Sequence, residues 1–207
     1  YYAFSYFIYL IILEKYMLQV KNLFVDLGGF RLTADFEIER GSLISIVGPS
    51  GAGKSTILNA LAGFIPLTSG VIKWNGSDIT KLDPGLRPLS ILFQDYNLFS
   101  HLTVKDNIAI GLRPNLKLDD LETEMVNSVI EEVGLSKFKF IKPFQLSGGQ
   151  RTRVSLARSI VRSKPILLLD EAFSGLGPAL RSEMIKLIKD KSLKEGITLI
   201  MVSHHIK

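Results

Sequence analysis

The sequence predicts an α/β domain with a mainly parallel sheet, an antiparallel β part at its N-terminal side and a helical insertion. Three observations carry this reading. Short apolar runs alternate with stretches of helical period, as strands laid side by side and joined by helices do. Residues 30–38, FRLTADFEI, alternate strictly instead. They set Phe30, Leu32, Ala34, Phe36 and Ile38 on one face and Arg31, Thr33, Asp35 and Glu37 on the other. Residues 103–142 are richer in charge and helical in period, with Leu121, Met125, Val129 and Val133 recurring at i, i+4.

Met17 opens a strand, and Leu27, Gly28 and Gly29 can turn it into the alternating strand 30–38. LISIV at 43–47 has no alternation, which predicts a strand buried on both faces. TILNALAG at 56–63 reads as a helix closed by Gly63. VIKWNGSDI holds a strand and an Asn-Gly turn, and SILFQ at 90–94 is a short buried strand. A helical subdomain follows at about 95–160, its last helix starting near Gly148. A strand at 166–169, a helix at 179–190 and a strand at 197–202 complete the pattern. No internal repeat or flexible linker divides 17–207, so one domain is expected there.

Composition narrows the function. The chain has 207 residues, 46% of them hydrophobic and 22% charged, enough for a substantial core and too apolar for disorder. It has no cysteine, which excludes disulfides and thiol chemistry. The net charge of +5 suits an anionic ligand or a membrane surface. There is no long basic run and no aromatic–basic interleaving, so nucleic acid is not an expected partner. The apolar run YYAFSYFIYLIIL at 1–13 is shorter than the roughly 20 residues of a membrane span. It also lacks the basic start and cleavage site of a signal peptide. Residues 1–16 are therefore expected to be an upstream, non-native segment, with an interfacial anchor as the other reading. Any membrane role is expected to be peripheral.

Residues 48–55, GPSGAGKS, fit the G-x-x-x-x-G-K-[ST] phosphate loop. Gly48, Gly51 and Gly53, with Pro49, Ser50 and Ala52 between them, let the backbone curl until several N–H groups point at one phosphate. The helix that starts there, through Lys54, Ser55 and Thr56, adds its positive end. Lys54 reaches β and γ phosphates, and the Ser55 hydroxyl is a ligand for Mg²⁺. ATP and Mg²⁺ are thus the expected cofactors.

ILLLDEAF at 166–173 delivers two acids to the ligand edge of a parallel sheet. Asp170 is expected to hold Mg²⁺ through water, and Glu171 to polarise the attacking water. LSGGQ at 146–150 opens another helix, where Ser147 and the amides of Gly148 and Gly149, followed by Gln150, make a second anion nest. One nucleotide does not need two nests from one chain. The simplest resolution is a head-to-tail pair of chains, each nest serving the other copy's ATP.

The order of phosphate loop, Gln94, LSGGQ, Asp170 with Glu171, and His204 resembles the ATP-binding subunits of ABC transporters over residues 17–207. The resemblance implies a P-loop NTPase fold of ABC type, a homodimer, and integral membrane permease subunits as partners. It also implies a periplasmic substrate-binding protein acting indirectly and a peripheral place on the cytoplasmic face of the inner membrane. It makes LSGGQ the signature motif that meets the γ phosphate across the dimer. Gln94 becomes the glutamine that senses Mg²⁺ and γ phosphate, and His204 the switch histidine. With Glu171 and Lys54, His204 completes the implied catalytic set; Ser55, Gln94 and Asp170 are the implied metal set.

Residues 87–112 resemble the importer branch, where this stretch builds a groove for a permease helix, with Tyr96 and Phe99 as exposed aromatics. RPLSILFQDYNLFSHLTV, PNLKL and LLLDEAFSGLGPALRSEM are most similar to the importers of thiamine. Polyamine, iron or an inorganic anion are the other cargoes. A soluble ABC ATPase acting on DNA or ribosomes and an inactive truncated remnant are the rival readings.

The chain departs from the family pattern at a few places. Gly177 stands where the D-loop usually has Asp, Ala172 where Pro is common, and His205 where Asp is common. The slot of the adenine-stacking aromatic falls near Leu27, with Phe24 and Phe30 as neighbours, and sequence does not choose among the three. The chain ends three residues after His204, so a C-terminal truncation is expected.

Overall fold

The computed structural model describes residues 16–93 and 97–203. The expectations for residues 1–15, Gln94, Tyr96, His204 and His205 lie outside the described residues.

Two sheets organise the fold. The antiparallel one has the order β2-β1-β4-β5, formed by β1 (Tyr16–Asp26), β2 (Arg31–Glu39), β4 (Ser69–Trp74) and β5 (Ser77–Asp78). The alternation of 30–38 is borne out: Leu32, Ala34, Phe36 and Ile38 turn inward along β2 while the charged residues between them are exposed. The β1–β2 turn closes where expected, with the Leu27 N–H donating to Phe30 O at 3.0 Å and Gly28 at φ 74°. The turn between β4 and β5 is made by Asn75 and Gly76 at φ 45° and 77°, the left-handed pair that a two-residue hairpin needs.

The second sheet is wholly parallel, in the order β3-β8-β7-β6. Its strands are β3 (Leu43–Val47), β6 (Leu89–Leu92), β7 (Ile166–Asp170) and β8 (Thr198–Ser203). One expectation fails here. β3 is not buried on both faces: among the described residues it pairs with β8 alone, and Leu43 and Val47 are 43% and 42% exposed. An unbroken apolar run does not distinguish a central strand from an edge strand whose outer residues flank a groove. Here Leu43 and Ser45 border a cavity of about 830 Å³ together with Leu176 and Ile185.

Helices cover both faces of the parallel sheet. On one face α1 (Lys54–Ala62) packs Leu58 and Leu61 against Ile166 and Leu168 of β7 and against the antiparallel sheet. Each such fully buried leucine contributes about 1.5–3 kcal/mol. Gly63 ends α1 at φ 85°, as expected. Arg87 completes that end, donating to the carbonyls of Ala60 (2.9 Å) and Leu61 (2.7 Å) from a position 3% exposed.

On the opposite face lie α2 (Val104–Ala109), α3 (Asp120–Glu132), α4 (Gly148–Val161) and α5 (Pro178–Glu195). They share a core with Leu167 and Leu169, the alternate residues of β7. α3 starts on a capping box of Asp119 and Glu122. Its buried stripe is Val126, Val129 and Ile130, continued by Val133, while Leu121 is 68% exposed. The row 121–125–129–133 therefore does not share one face. A strict i, i+4 row drifts about 40° per step at 3.6 residues per turn, so its two ends point roughly 120° apart. α5 runs five residues beyond the expected end, to a stop at Gly196 with φ 67°.

Candidate nucleotide site

The phosphate loop joins the C-terminal end of β3 to α1. Gly51 and Gly53 sit at φ 79° and 88°, left-handed conformations that glycine takes without steric cost. Gly53 is the N-cap of α1, and a Cβ there would lie 2.7 Å from Phe30 Cζ. This close packing sets Phe30 apart from Leu27 among the aromatic-slot candidates. The Phe30 ring abuts the phosphate loop, whereas Leu27 is 53% exposed on the β1–β2 turn.

Lys54 is buried at the centre of the loop. Its ammonium donates to Gly48 O at 2.9 Å and to Pro49 O at 2.8 Å. Pro49, Ser50, Gly51 and Ala52 stay exposed around it, and the Ala52 N–H donates to Pro49 O at 3.3 Å. The loop is thus already curled about a positive charge, with α1 presenting its N-terminus and Thr56 in its first turn.

The acidic pair reaches this loop. Asp170 ends β7, and its Oδ1 accepts the Ser55 hydroxyl at 2.8 Å across 115 residues of sequence. Burial raises the Asp170 pKa, and the Glu171 charge adds to that; the Ser55 hydrogen bond and the Lys54 charge oppose it. Glu171 adopts φ 48°, so the chain leaves β7 in a sharp left-handed step. Among the described residues no cluster of three or more His, Asp or Glu side chains forms a closed metal site. A hydroxyl beside a carboxylate fits a hard cation that takes its other oxygens from water and phosphate, as Mg²⁺ does.

The second glycine motif is a formed N-terminus. Ser147 caps α4, its Oγ accepting the Gln150 N–H at 3.3 Å while the Ser147 N–H donates to Gln150 Oε1 at 2.8 Å. Ser147 is exposed, and Gly148 and Gly149 follow in the first turn. A Cβ at Gly149 would collide with Leu180 Cδ2, near the start of α5. α5 follows the C-terminal end of β7, so both glycine motifs sit at one edge of the parallel sheet. α1 and α4 nevertheless pack on opposite faces of it.

Three structural residues escaped the sequence reading. Arg87 lies in a stretch that resembles a partner groove, yet it is a buried cap of α1. Asn107 is fully buried and shapes the loop before α2. It donates to Phe99 O, Leu102 O and Thr103 O at 3.0–3.2 Å and accepts the Phe99 N–H at 2.8 Å. Phe140 is 74% exposed beside that loop, since the Val104 and Lys105 N–H groups donate to Ile141 O and Lys139 O. Phe99, as expected, is exposed, and its ring meets His101 edge-on at 5.9 Å. Arg87 and Asn107 stand among charged or turn-forming neighbours, and nothing in the sequence says which backbone groups they serve.

No helix among the described residues is long and apolar enough to cross a membrane. Residues 33–174 match the ABC transporter family. The thiamine import ATP-binding protein ThiQ of Ruegeria sp. (strain TM1040) is 48% identical over 188 residues, which is 91% of this chain and 81% of that protein. The protein of the same name from Escherichia coli O157:H7 is 50% identical over 170 residues, 82% of this chain and 73% of the relative. Among solved structures, cbiO1 from Clostridium perfringens, part of the ABC transporter complex cbiONQ, is 31% identical with a TM-score of 0.81. That likeness covers 93% of this chain and 80% of the other. The ADP conformation of MJ1267, an ATP-binding cassette of an ABC transporter, shares the fold at a TM-score of 0.84 and 24% identity. It covers 93% of this chain and 82% of that one.

Proposed function

Because this chain belongs to the ABC transporter family, we propose that it is the ATP-binding and ATP-hydrolysing subunit of an importer, and that the cargo is thiamine. The observation that carries the reading is that two glycine-rich helix N-termini share one sheet edge but lie on opposite faces. A single nucleotide fits the phosphate loop; the signature turn then serves the nucleotide of a second copy. The thiamine assignment is supported by relatives of that name at 48–50% identity.

In this reading the backbone amides from Gly48 to Ser55, with the α1 N-terminus, bind the β and γ phosphates. Lys54 turns its ammonium from the Gly48 and Pro49 carbonyls toward phosphate oxygen. Ser55 and Asp170, with Gln94, would hold Mg²⁺, which would offset the charge that builds on the phosphoryl oxygens. Glu171 takes a proton from the attacking water, and His204 meets the γ phosphate. Ser147, Gly148 and Gly149 close over the same group from the partner copy, with Gln150 fixing the turn. ATP closes the pair and hydrolysis opens it. The motion passes to permease subunits at the exposed rings of Phe99 and Phe140. A periplasmic binding protein delivers the cargo, and the subunit sits on the cytoplasmic face of the inner membrane. Gly177 leaves the D-loop without its usual carboxylate.

The test is uptake of labelled thiamine into vesicles that hold the cognate permease and this subunit, with ATP on the subunit's side and the binding protein on the other. Uptake that needs ATP and stops with Lys54→Ala supports the proposal. Uptake of a polyamine, iron or an inorganic anion in its place overturns the cargo. Recovery of ribosomes rather than a membrane protein with the tagged chain overturns the transport role.

A further inference from the structure

We propose that Arg153, Glu183 and Leu180 are positioning residues for Ser147, tying the signature turn to the helix that leaves the acidic pair. The inference rests on the reading above that the signature turn acts on nucleotide. α5 begins just after the turn that follows Glu171, and within its own sequence only Pro178 at the first position favours that end. Its N-cap is Gly177, which offers no side-chain cap, and its first turn has no acid. Contacts from α4 supply what is missing. The Arg153 Nη2 atom lies within hydrogen-bond distance of both Glu183 oxygens, at 2.8 and 2.9 Å, in a charge-assisted contact between α4 and α5. Its Nη1 donates to Val133 O at 3.1 Å, so the same guanidinium also holds the last turn of α3.

The surrounding glycines make room for this arrangement. Gly134 is at φ 68°, and a Cβ there would lie 3.0 Å from Arg153 Nη1. Leu180 fills the space that a side chain at Gly149 would take. A cavity of about 340 Å³ lies among Ser147, Gly149, Gln150, Arg153 and Leu180, so the turn is held from beneath at two points and not by continuous packing.

Stability alone is a poor explanation for this convergence. The Glu183 side chain is 54% exposed, and exposed pairs add little to stability. What the guanidinium fixes is geometry, with Nη2 on Glu183 and Nη1 on Val133 O. Three helices meet at one guanidinium, on the same helix as Ser147 and less than two turns from it. Any shift of α5 with the acidic pair is passed to the signature turn.

A double-mutant cycle of Ser147→Ala and Glu183→Ala tests this in the intact protein with its permease. The readouts are ATP turnover, nucleotide affinity and melting temperature. Glu183→Ala is expected to lower kcat about tenfold, with the Kd for nucleotide within about twofold and the melting temperature within about 3 °C. In the Ser147→Ala background it is expected to add no further loss, because both changes remove one function. Additive losses, or Glu183→Ala at parental turnover while Ser147→Ala is impaired, overturn the positioning role and leave the proposed function standing. Ser147→Ala at parental turnover overturns the signature reading and the positioning role with it.

Discussion

The phosphate loop and the signature turn are both glycine-rich N-termini of helices, but they are completed in different ways. The first is finished within its own chain: Lys54 is buried among loop carbonyls, and Ser55 is bonded to Asp170 from a distant strand. The second is braced from beneath by Arg153 and Leu180 yet presents Ser147 to solvent. A preformed site can bind a ligand alone. A braced turn with an exposed tip is built to be brought to a ligand held elsewhere.

Substitutions around the phosphate loop, the site that is complete in one chain, should therefore separate binding from turnover. The largest effect is expected at the loop: Lys54→Ala removes its central charge and should abolish ATP binding measured by titration calorimetry. Glu171→Gln should keep that binding while turnover falls about 10²–10⁴-fold. Dimers should then accumulate with ATP in light scattering; parental turnover would remove Glu171 from its role. Phe30→Ala takes away the ring beside Gly53. It should weaken ATP binding about tenfold, within the 1–3 kcal/mol of base–aromatic stacking. Binding at parental strength would return the slot to Leu27 or Phe24.

The smallest effect is a matter of pH. Burial raises the Asp170 pKa above its ordinary value of 3.8, so the folded state holds this proton more tightly than the unfolded chain does. Its contribution to stability is fully present below pH 3.8 and is lost as pH rises through the folded pKa. Asp170→Asn should then melt above the parent at neutral pH without Mg²⁺, and the gap should close in acid. Mg²⁺ should raise the melting temperature of the parent and not of the variant. A variant that melts below the parent at neutral pH would contradict this.

The difference between the two sites also explains what could be read from sequence. The phosphate loop is local: its glycines, lysine and serine are consecutive, and the backbone they demand is the one observed. The same holds for the Asn75 and Gly76 turn and the alternation of β2. The brace of the signature turn is not local. Arg153 and Glu183 lie thirty residues apart, and each reads alone as a charge on a solvated helix face. Arg87 and Asn107 escaped for the same reason, since their partners are backbone carbonyls brought near only by the fold. β3 misled because apolar content reports burial potential, not the number of neighbouring strands.

The central claim is that the signature turn of one copy meets the phosphate loop of another. The chain has no cysteine, so two introduced thiols report without background. Ser50→Cys and Ser147→Cys, placed in separate copies that both carry Glu171→Gln, should form a disulfide at dimer mass when ATP is present and not without it. Failure to link with ATP bound, or a link formed only within one chain when both thiols share it, would contradict the account.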